Sequence, residues 1–302
     1  MTHTEHESRP YGIAPSGFRL PDATHLGRVR LQVADLDRSI AYYETVIGLR
    51  VLARSDNVST LGPEGSDAVL IELRAKPGVR AVARRGAIGL YHFAILLPDR
   101  AALGRLIAHL SAIGVYAGMS DHFVSEAIYL QDPDGLGIEV YADRPRSEWR
   151  FADRQLAMTT NPLDVAAVVG SAGGAPWTGA PAGTVIGHVH LYVRDLDEAS
   201  AFYHEALGLD KVVWGYPGAL FMSAGGYHHH LGTNTWAAGA PLATDDDARL
   251  IDWEIIVPDA ASVAHAAESL ESRGANVRRE GSDVEAIDPW GTKVRITSVG
   301  HR

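Results

Sequence analysis

The sequence contains no cysteine. That removes disulfide bridges, thiolate metal sites and a cysteine nucleophile together. Also missing is any apolar run near the ~20 residues that a membrane-spanning helix needs, so a membrane role is not expected. There is no basic surplus: 27 Lys and Arg stand against 37 Asp and Glu, a formal net charge of −10. A general nucleic-acid binder would carry a basic face, and that class is set aside. The opening MTHTEHESRP is polar and lacks the apolar core of a signal peptide, which leaves a cytoplasmic address as the expectation. What is present is an ordinary globular balance over 302 residues, 46% apolar and 21% charged, enough for about two domains. The feature left over is a total of 14 histidines, several of them clustered.

A repeat organises the chain. Gly27–Leu49 reads GRVRLQVADLDRSIAYYETVIGL and Gly187–Leu209 reads GHVHLYVRDLDEASAFYHEALGL, in register at an offset of 160. Both give an alternating strand, then DLD, then a helix that ends at Gly-Leu. LLPDRAALGRLIAHLSAIG (Leu96–Gly114) and IVPDAASVAHAAESLESRG (Ile256–Gly274) keep the same offset, each a strand, a Pro-Asp turn and a helix closed by Gly. Asp132-Pro-Asp-Gly135 and Asp288-Pro-Trp-Gly291 mark a late hairpin in each half.

Four β-α-β-β-β modules follow, near 24–76, 88–143, 184–236 and 249–299. An α+β fold is expected, in which the modules pair face to face into two open barrels, because a lone module leaves one face of a curved sheet bare. The first domain spans 24–145 and the second 184–300. Residues 1–23 read as an extended N-terminal arm. The Gly-, Ala- and Pro-rich stretch within 146–183 reads as an irregular linker.

The four modules, the DLD-type openings and the DPDGLGIE ending resemble the vicinal oxygen chelate superfamily, which includes glyoxalases, bleomycin resistance proteins and extradiol ring-cleaving dioxygenases. The resemblance runs from about Leu26 to Thr297. It implies a metal inside a barrel, between the first and last strands of two paired modules. Module one puts Arg28 where module three has His188, and an arginine cannot ligate a metal. Module four puts Asp252 in place of His92 and Arg295 in place of Glu139. Modules two and three together supply His92, Glu139 and His188, the two-histidine, one-carboxylate set that leaves Fe(II) open positions for substrate and oxygen. The middle modules are therefore expected to form the active barrel, within one chain or between the chains of a dimer, while modules one and four form a barrel without metal.

Three more residues resemble those of extradiol dioxygenases, most closely the two-half bacterial catechol 2,3-dioxygenases. FMSAGGYHHHLG matches the stretch that carries the acid-base histidine, and the match falls on His229. HFVSEAIYLQDPDGLGIEVY supplies His122, a substrate-contacting position in the family, and Tyr129, a donor to a substrate oxygen. Each has a plainer reading. His190 shares the face of His188 and competes as ligand. The histidine triplet reads as part of a strand, so His228 and His230 share one face and His229 takes the other, with His230 the competing candidate. Tyr129 also suits a core strand, and His122 suits a loop cap. His25, His109, His204 and His265 fall in loops or helices and are expected on the solvent side.

The resemblance implies an oxidoreductase of aromatic catabolism that takes a small aromatic diol and O2 and uses Fe(2+). The ring opens to a semialdehyde, with His229 as acid-base group and Tyr129 and His122 steadying the substrate oxygen. A homo-oligomer is usual in such families. Three rivals remain: a hydroquinone-cleaving dioxygenase, a glyoxalase-like lyase or isomerase on Ni, Zn or Co, and a drug-sequestering binding protein.

Overall fold

Each of the four long repeat segments starts its helix with an aspartate, and in the computed structural model, which describes residues 11–300, all four act as caps. Asp35 accepts from the Arg38 amide, Asp99 from Ala102, Asp195 from Asp197 and Glu198, and Asp259 from Ser262. A side-chain oxygen there satisfies amide donors that the first helical turn leaves open.

Module one comprises β1 (His25–Val33), α1 (Leu36–Tyr42), a π-helical turn over Tyr43–Ile47, then β2 (Arg50–Arg54), β3 (Val58–Gly62) and β4 (Ile71–Ala75). Module two has β5 (Gly89–Leu96), α2 (Arg100–Ala112), β6 (Gly118–Asp121), β7 (Ser125–Gln131) and β8 (Gly137–Asp143). Between the halves lie β9 (Phe151–Ala152), β10 (Gln155–Leu156) and α3 (Val165–Ser171). Module three has β11 (Val185–Tyr192), α4 (Leu196–Ala199), a second π-helical turn over Ser200–Ala206, β12 (Asp210–Val213), β13 (Ala219–Ser223) and β14 (Leu231–Asn234). Module four has β15 (Arg249–Val257), α5 (Ala260–Ser272), β16 (Asn276–Glu280), β17 (Asp283–Ile287) and β18 (Lys293–Ser298).

The strands form two mixed eight-stranded sheets in an α+β fold. One runs β16-β17-β18-β15-β1-β4-β3-β2 and the other β12-β13-β14-β11-β5-β8-β7-β6. Within every module the first strand pairs parallel with the last. Between modules the two first strands pair antiparallel, β1 with β15 and β11 with β5. Module two therefore joins module three, and module one joins module four, as the distribution of ligand residues implied. Each sheet takes one module from each half of the sequence.

Alternation explains the core. Val29, Leu31 and Val33 on β1 are fully buried, as are Val189, Leu191 and Val193 at the equivalent places. Burying each contributes about 1.5–3 kcal/mol. The two late hairpins are tied to the helices in the same way in both halves. Asp132 accepts from the Asp134 and Leu136 amides and the Tyr43 hydroxyl, while Asp288 accepts from Trp290, Thr292 and the Tyr203 hydroxyl.

Two expectations need correction here. The segment 146–183 carries a short hairpin and α3 rather than irregular chain alone. α3 is started by Asp164 and seats its backbone at Val168 against Gly104 of α2, where any side chain on residue 104 would collide. His204 is not on the solvent side: it is buried, and its Nδ1 bonds the Leu209 carbonyl at 2.7 Å, closing the π-helical turn. Of the N-terminal arm, residues 1–10 lie outside the described residues. The remainder is anchored, with Leu20 buried and Arg19 forked onto the Asp210 carboxylate.

Candidate metal centre and the cavity above it

His92 comes from β5, Glu139 from β8 beside it, and His188 from β11 on its other side. Parallel pairing sets Ala94 opposite Glu139, and antiparallel pairing sets His188 opposite Ala94, so three neighbouring strands bring the three side chains to one spot. The His92 Nε2 lies 3.0 Å from Glu139 Oε2, and the His188 Nε2 lies 3.2 Å from the same oxygen. The two Nε2 atoms are 3.4 Å apart. All three residues are buried. They are the one group of potential ligands found among the described residues whose donor atoms converge closely enough to share an ion.

Burial holds the His92 and His188 imidazoles below the usual histidine range, which keeps ring lone pairs available. Burial pushes the Glu139 carboxyl upward, but its electrostatic and hydrogen-bond coupling to His188 and His92 outweighs that and holds it well below the usual carboxylate range. The Nδ1 atoms of both histidines are buried without a hydrogen-bond partner, so Nε2 is the engaged ring atom.

The other barrel supplies a comparison. There the corresponding strands β1, β4 and β15 bring Glu72, Asp252 and Glu254 around the buried Arg30 guanidinium, at 3.2, 2.5 and 3.0 Å. An internal cation offsets the carboxylates, as a metal would. Among the described residues no Lys or Arg pairs with Glu139; its neighbours are the two imidazoles and the Tyr129 phenol. A buried carboxylate with two neutral nitrogen donors is a donor set that suits a divalent transition metal.

Above the triad opens a cavity of about 730 Å³, in the ~300–1,000 Å³ range of small-molecule sites. His92 and Glu139 line it, and His188 lies directly behind them. Its walls are largely aromatic: Tyr91, Tyr192, Tyr216, Phe221 and Trp236. Arg84 and Arg85 stand among the lining residues as exposed cations, Arg85 with a positive φ of 60°.

The other expected residues meet here as well. Tyr129 on β7 lies directly across from Glu139 on β8. Its hydroxyl is 2.6 Å from His122 Nε2, and His122 Nδ1 is 2.5 Å from the Thr159 carbonyl. A carbonyl only accepts, so Nδ1 carries the proton and Nε2 accepts from Tyr129. Burial holds the Tyr129 phenol well above its usual range, so it remains a donor. His122 sits at a tight β6–β7 turn in which Phe123 adopts a φ of 68°, rare for a bulky residue.

His228, His229 and His230 do not lie on a strand. They occupy the turn between β13 and β14, so strict alternation does not govern them. Nevertheless they separate: His229 lines the cavity with its ring centroid 4.0 Å from that of His188. His228 turns away to Asp143, and His230 accepts from the Ala224 amide. Burial holds His229 well below the usual range, hence neutral. His190 also lines the cavity, but the Asn234 side-chain amide engages its Nε2 at 2.9 Å and it stands outside the converging group.

Residues the sequence reasoning passed over include Asp143 and Tyr141. Glu139, Tyr141 and Asp143 share one face of β8 by simple alternation, which was the available signal. Gly187 is required just before His188 because a Cβ there would overlap the Tyr141 hydroxyl.

The model of the glyoxalase/bleomycin resistance protein/dioxygenase superfamily matches residues 25–140 and 185–291. The chain belongs to that superfamily. The member described here is 42% identical over 270 residues to the catechol-2,3-dioxygenase of Bacillus subtilis, covering 88% of this chain and 94% of that one. By that measure it is a catechol-2,3-dioxygenase-like enzyme. A lactoylglutathione lyase of Salmonella typhimurium is 33% identical over 119 residues, 36% of this chain and 86% of the lyase. The superfamily fold recurs in a putative dioxygenase from Bacillus subtilis, at a TM-score of 0.63 and 14% identity, covering 94% and 87% of the two chains. It recurs also in glyoxalase I from Zea mays, at a TM-score of 0.54 and 20% identity, covering 91% and 92%. No helix among the described residues is long and apolar enough to cross a membrane.

Proposed function

We propose that this superfamily member is an Fe(II)-dependent extradiol dioxygenase that opens a catechol-type ring with O2 to a semialdehyde, in the cytoplasmic breakdown of aromatic compounds. The observation that carries the reading is the convergence of His92, Glu139 and His188 beneath an aromatic-walled cavity that His229, Tyr129 and His122 also line. The likeness over 88% of the chain to a catechol-2,3-dioxygenase supports the same chemistry. One carboxylate in the group favours it over the lyase reading, for which a second glutamate ligand is usual.

Held by His92, His188 and Glu139, Fe(II) would supply a Lewis-acid centre for the two diol oxygens and an electron route between ring and O2. The remaining tasks fall to the protein. Aromatic walls receive the ring and exclude bulk water. Neutral His229 accepts a proton from a diol hydroxyl and returns it to an oxygen of the product. Tyr129, kept protonated by burial, rests with its hydroxyl donating to His122 Nε2, and it would turn that one proton to a substrate oxygen when the diol is bound.

Alanine in place of His92, His188 or Glu139 is expected to abolish both iron retention and ring opening of a small diol panel containing catechol and hydroquinone. Full activity in any one of these variants refutes the assignment. His229→Ala is expected to retain iron while kcat falls about 10²–10⁴-fold.

A further inference from the structure

Behind His229 lies a hydrogen-bonded chain that faces away from the cavity. His229 Nδ1 is 2.8 Å from His228 Nδ1, and His228 Nε2 is 2.8 Å from Asp143 Oδ1. The Tyr227 hydroxyl donates to the same Asp143 oxygen at 3.2 Å, and the Tyr141 and Tyr227 hydroxyls are 2.6 Å apart. Three of the rings are walled in: His228 is 0% exposed, His229 5% and Tyr141 0%. Tyr227 also stacks on His228 at a centroid distance of 4.1 Å, and Trp149 meets it at 5.6 Å, so the His228 ring cannot turn freely.

Donor and acceptor roles along this chain follow from its end. A carboxylate accepts only, so His228 carries a proton on Nε2. In the neutral ring its Nδ1 is then a lone pair, and the 2.8 Å contact requires His229 to donate from its own Nδ1. That leaves His229 Nε2 unprotonated. Among the described residues this nitrogen has no protein hydrogen-bond partner, and it belongs to a side chain that lines the cavity. We infer that Asp143 and His228 are positioning residues: they lock the ring plane and tautomer of His229 so that a basic Nε2 meets the substrate hydroxyl. The inference rests on the acid-base role of His229 in the ring-opening reading. It adds that the role depends on two residues that touch neither metal nor substrate.

The chain also explains the neighbouring sequence. Asp143 lies two strand steps beyond Tyr141 and four residues beyond Glu139 on one face of β8, so a single strand supplies a triad member and the end of the relay. Tyr227, His228 and His229 are consecutive on a turn, where successive side chains can point three ways. A strand would have sent His228 and His229 to opposite faces.

The test uses Asp143→Ala, Asp143→Asn and His228→Gln in the full-length, iron-loaded protein with catechol as substrate, and the same variants loaded with Zn(II) for nitrogen-15 NMR of the histidine rings. Asn keeps an acceptor oxygen, so the inference predicts near-normal kcat there. For Asp143→Ala and His228→Gln it predicts about 10–100-fold lower kcat, below the ~10²–10⁴ of a lost acid-base group, with KM and iron content unchanged. In the zinc form the His229 resonances of the parent should show Nδ1 protonated and Nε2 not, and should shift toward mixed tautomers in the Ala and Gln variants. Parent-like kcat and unchanged His229 resonances in both overturn the inference. Loss of iron or of folded protein in step with kcat in all three variants, Asn included, overturns it in favour of a structural role. Normal turnover of His229→Ala instead removes the ring-opening reading on which the inference stands.

Discussion

Arg30→Met tests the idea that the second barrel replaces a metal with an internal cation. The Arg30 side chain is 8% exposed and meets Glu72, Asp252 and Glu254 at 3.2, 2.5 and 3.0 Å. Arg28 reaches Glu254 at 2.8 Å and Glu72 at 3.5 Å, and Arg74 reaches Glu72 at 2.6 Å. Three guanidinium groups thus balance three carboxylates. Methionine fills similar volume but leaves three buried acids facing two arginines, one of which, Arg74, is half exposed. Breaking a buried ion cluster by removing one partner costs about 3–5 kcal/mol, chiefly the desolvation of what stays behind. At roughly 2–4 °C per kcal/mol for a chain of this size, Tm should fall by about 6–20 °C in a calorimetric scan. Adding Asp252→Leu to Arg30→Met should recover part of the loss, since replacing whole buried pairs is often neutral. Iron content measured on the folded variant should match the parent, because the triad lies in the other sheet. A single Arg30→Met variant as stable as the parent refutes the reasoning, and so does one that loses iron while its Tm holds.

Further expectations follow from individual contacts. Burial pushes the Asp132 carboxyl up from 3.8 to about 7 despite its hydrogen bonds to backbone amides and Tyr43. A raised carboxyl binds its proton more tightly in the folded chain, so this contribution is full below pH ~4 and fades as pH rises through about 7. At about 1.4 kcal/mol per pH unit the span is roughly 4 kcal/mol; Asp132→Asn should flatten that part of the urea-unfolding stability profile, and an unchanged slope contradicts the attribution. Gly187→Ala forces a methyl into the Tyr141 hydroxyl and should cost about 1–3 kcal/mol by overpacking, with kcat falling as Tyr141 displaces Tyr227. A Gly187→Ala variant with parent Tm and kcat would show that the strand can relax there.

Much of the architecture was legible because it repeats. The offset of 160 set four modules in register, and the first strands expected at the module starts begin at His25, Gly89, Val185 and Arg249. Ligand logic chose the module pairing: Arg28 spoils the pairing of modules one and two, Asp252 and Arg295 spoil that of three and four, and β5 does pair with β11. The convergence of His92, Glu139 and His188 was legible for the same reason, since the first and last strands of paired modules lie side by side. What escaped was set by contacts distant in sequence. Asp143 and His228 meet across 85 residues, through a turn whose side-chain directions no strand period governs. α3 is short and poor in helix signals, and its place comes from a glycine on α2 that admits its backbone. His204 looked like a surface helix residue, but the π-helical turn rotated it inward onto the Leu209 carbonyl.

The central claim is that this cavity spends one O2 on each diol ring with iron at the three converging donors. An oxygen-electrode titration of the anaerobically iron-loaded protein against measured increments of catechol tests it most directly. The account predicts one O2 consumed per ring opened, with none consumed by the His188→Ala variant. Ring or side-chain conversion without oxygen uptake, or equal uptake by that variant, would contradict it.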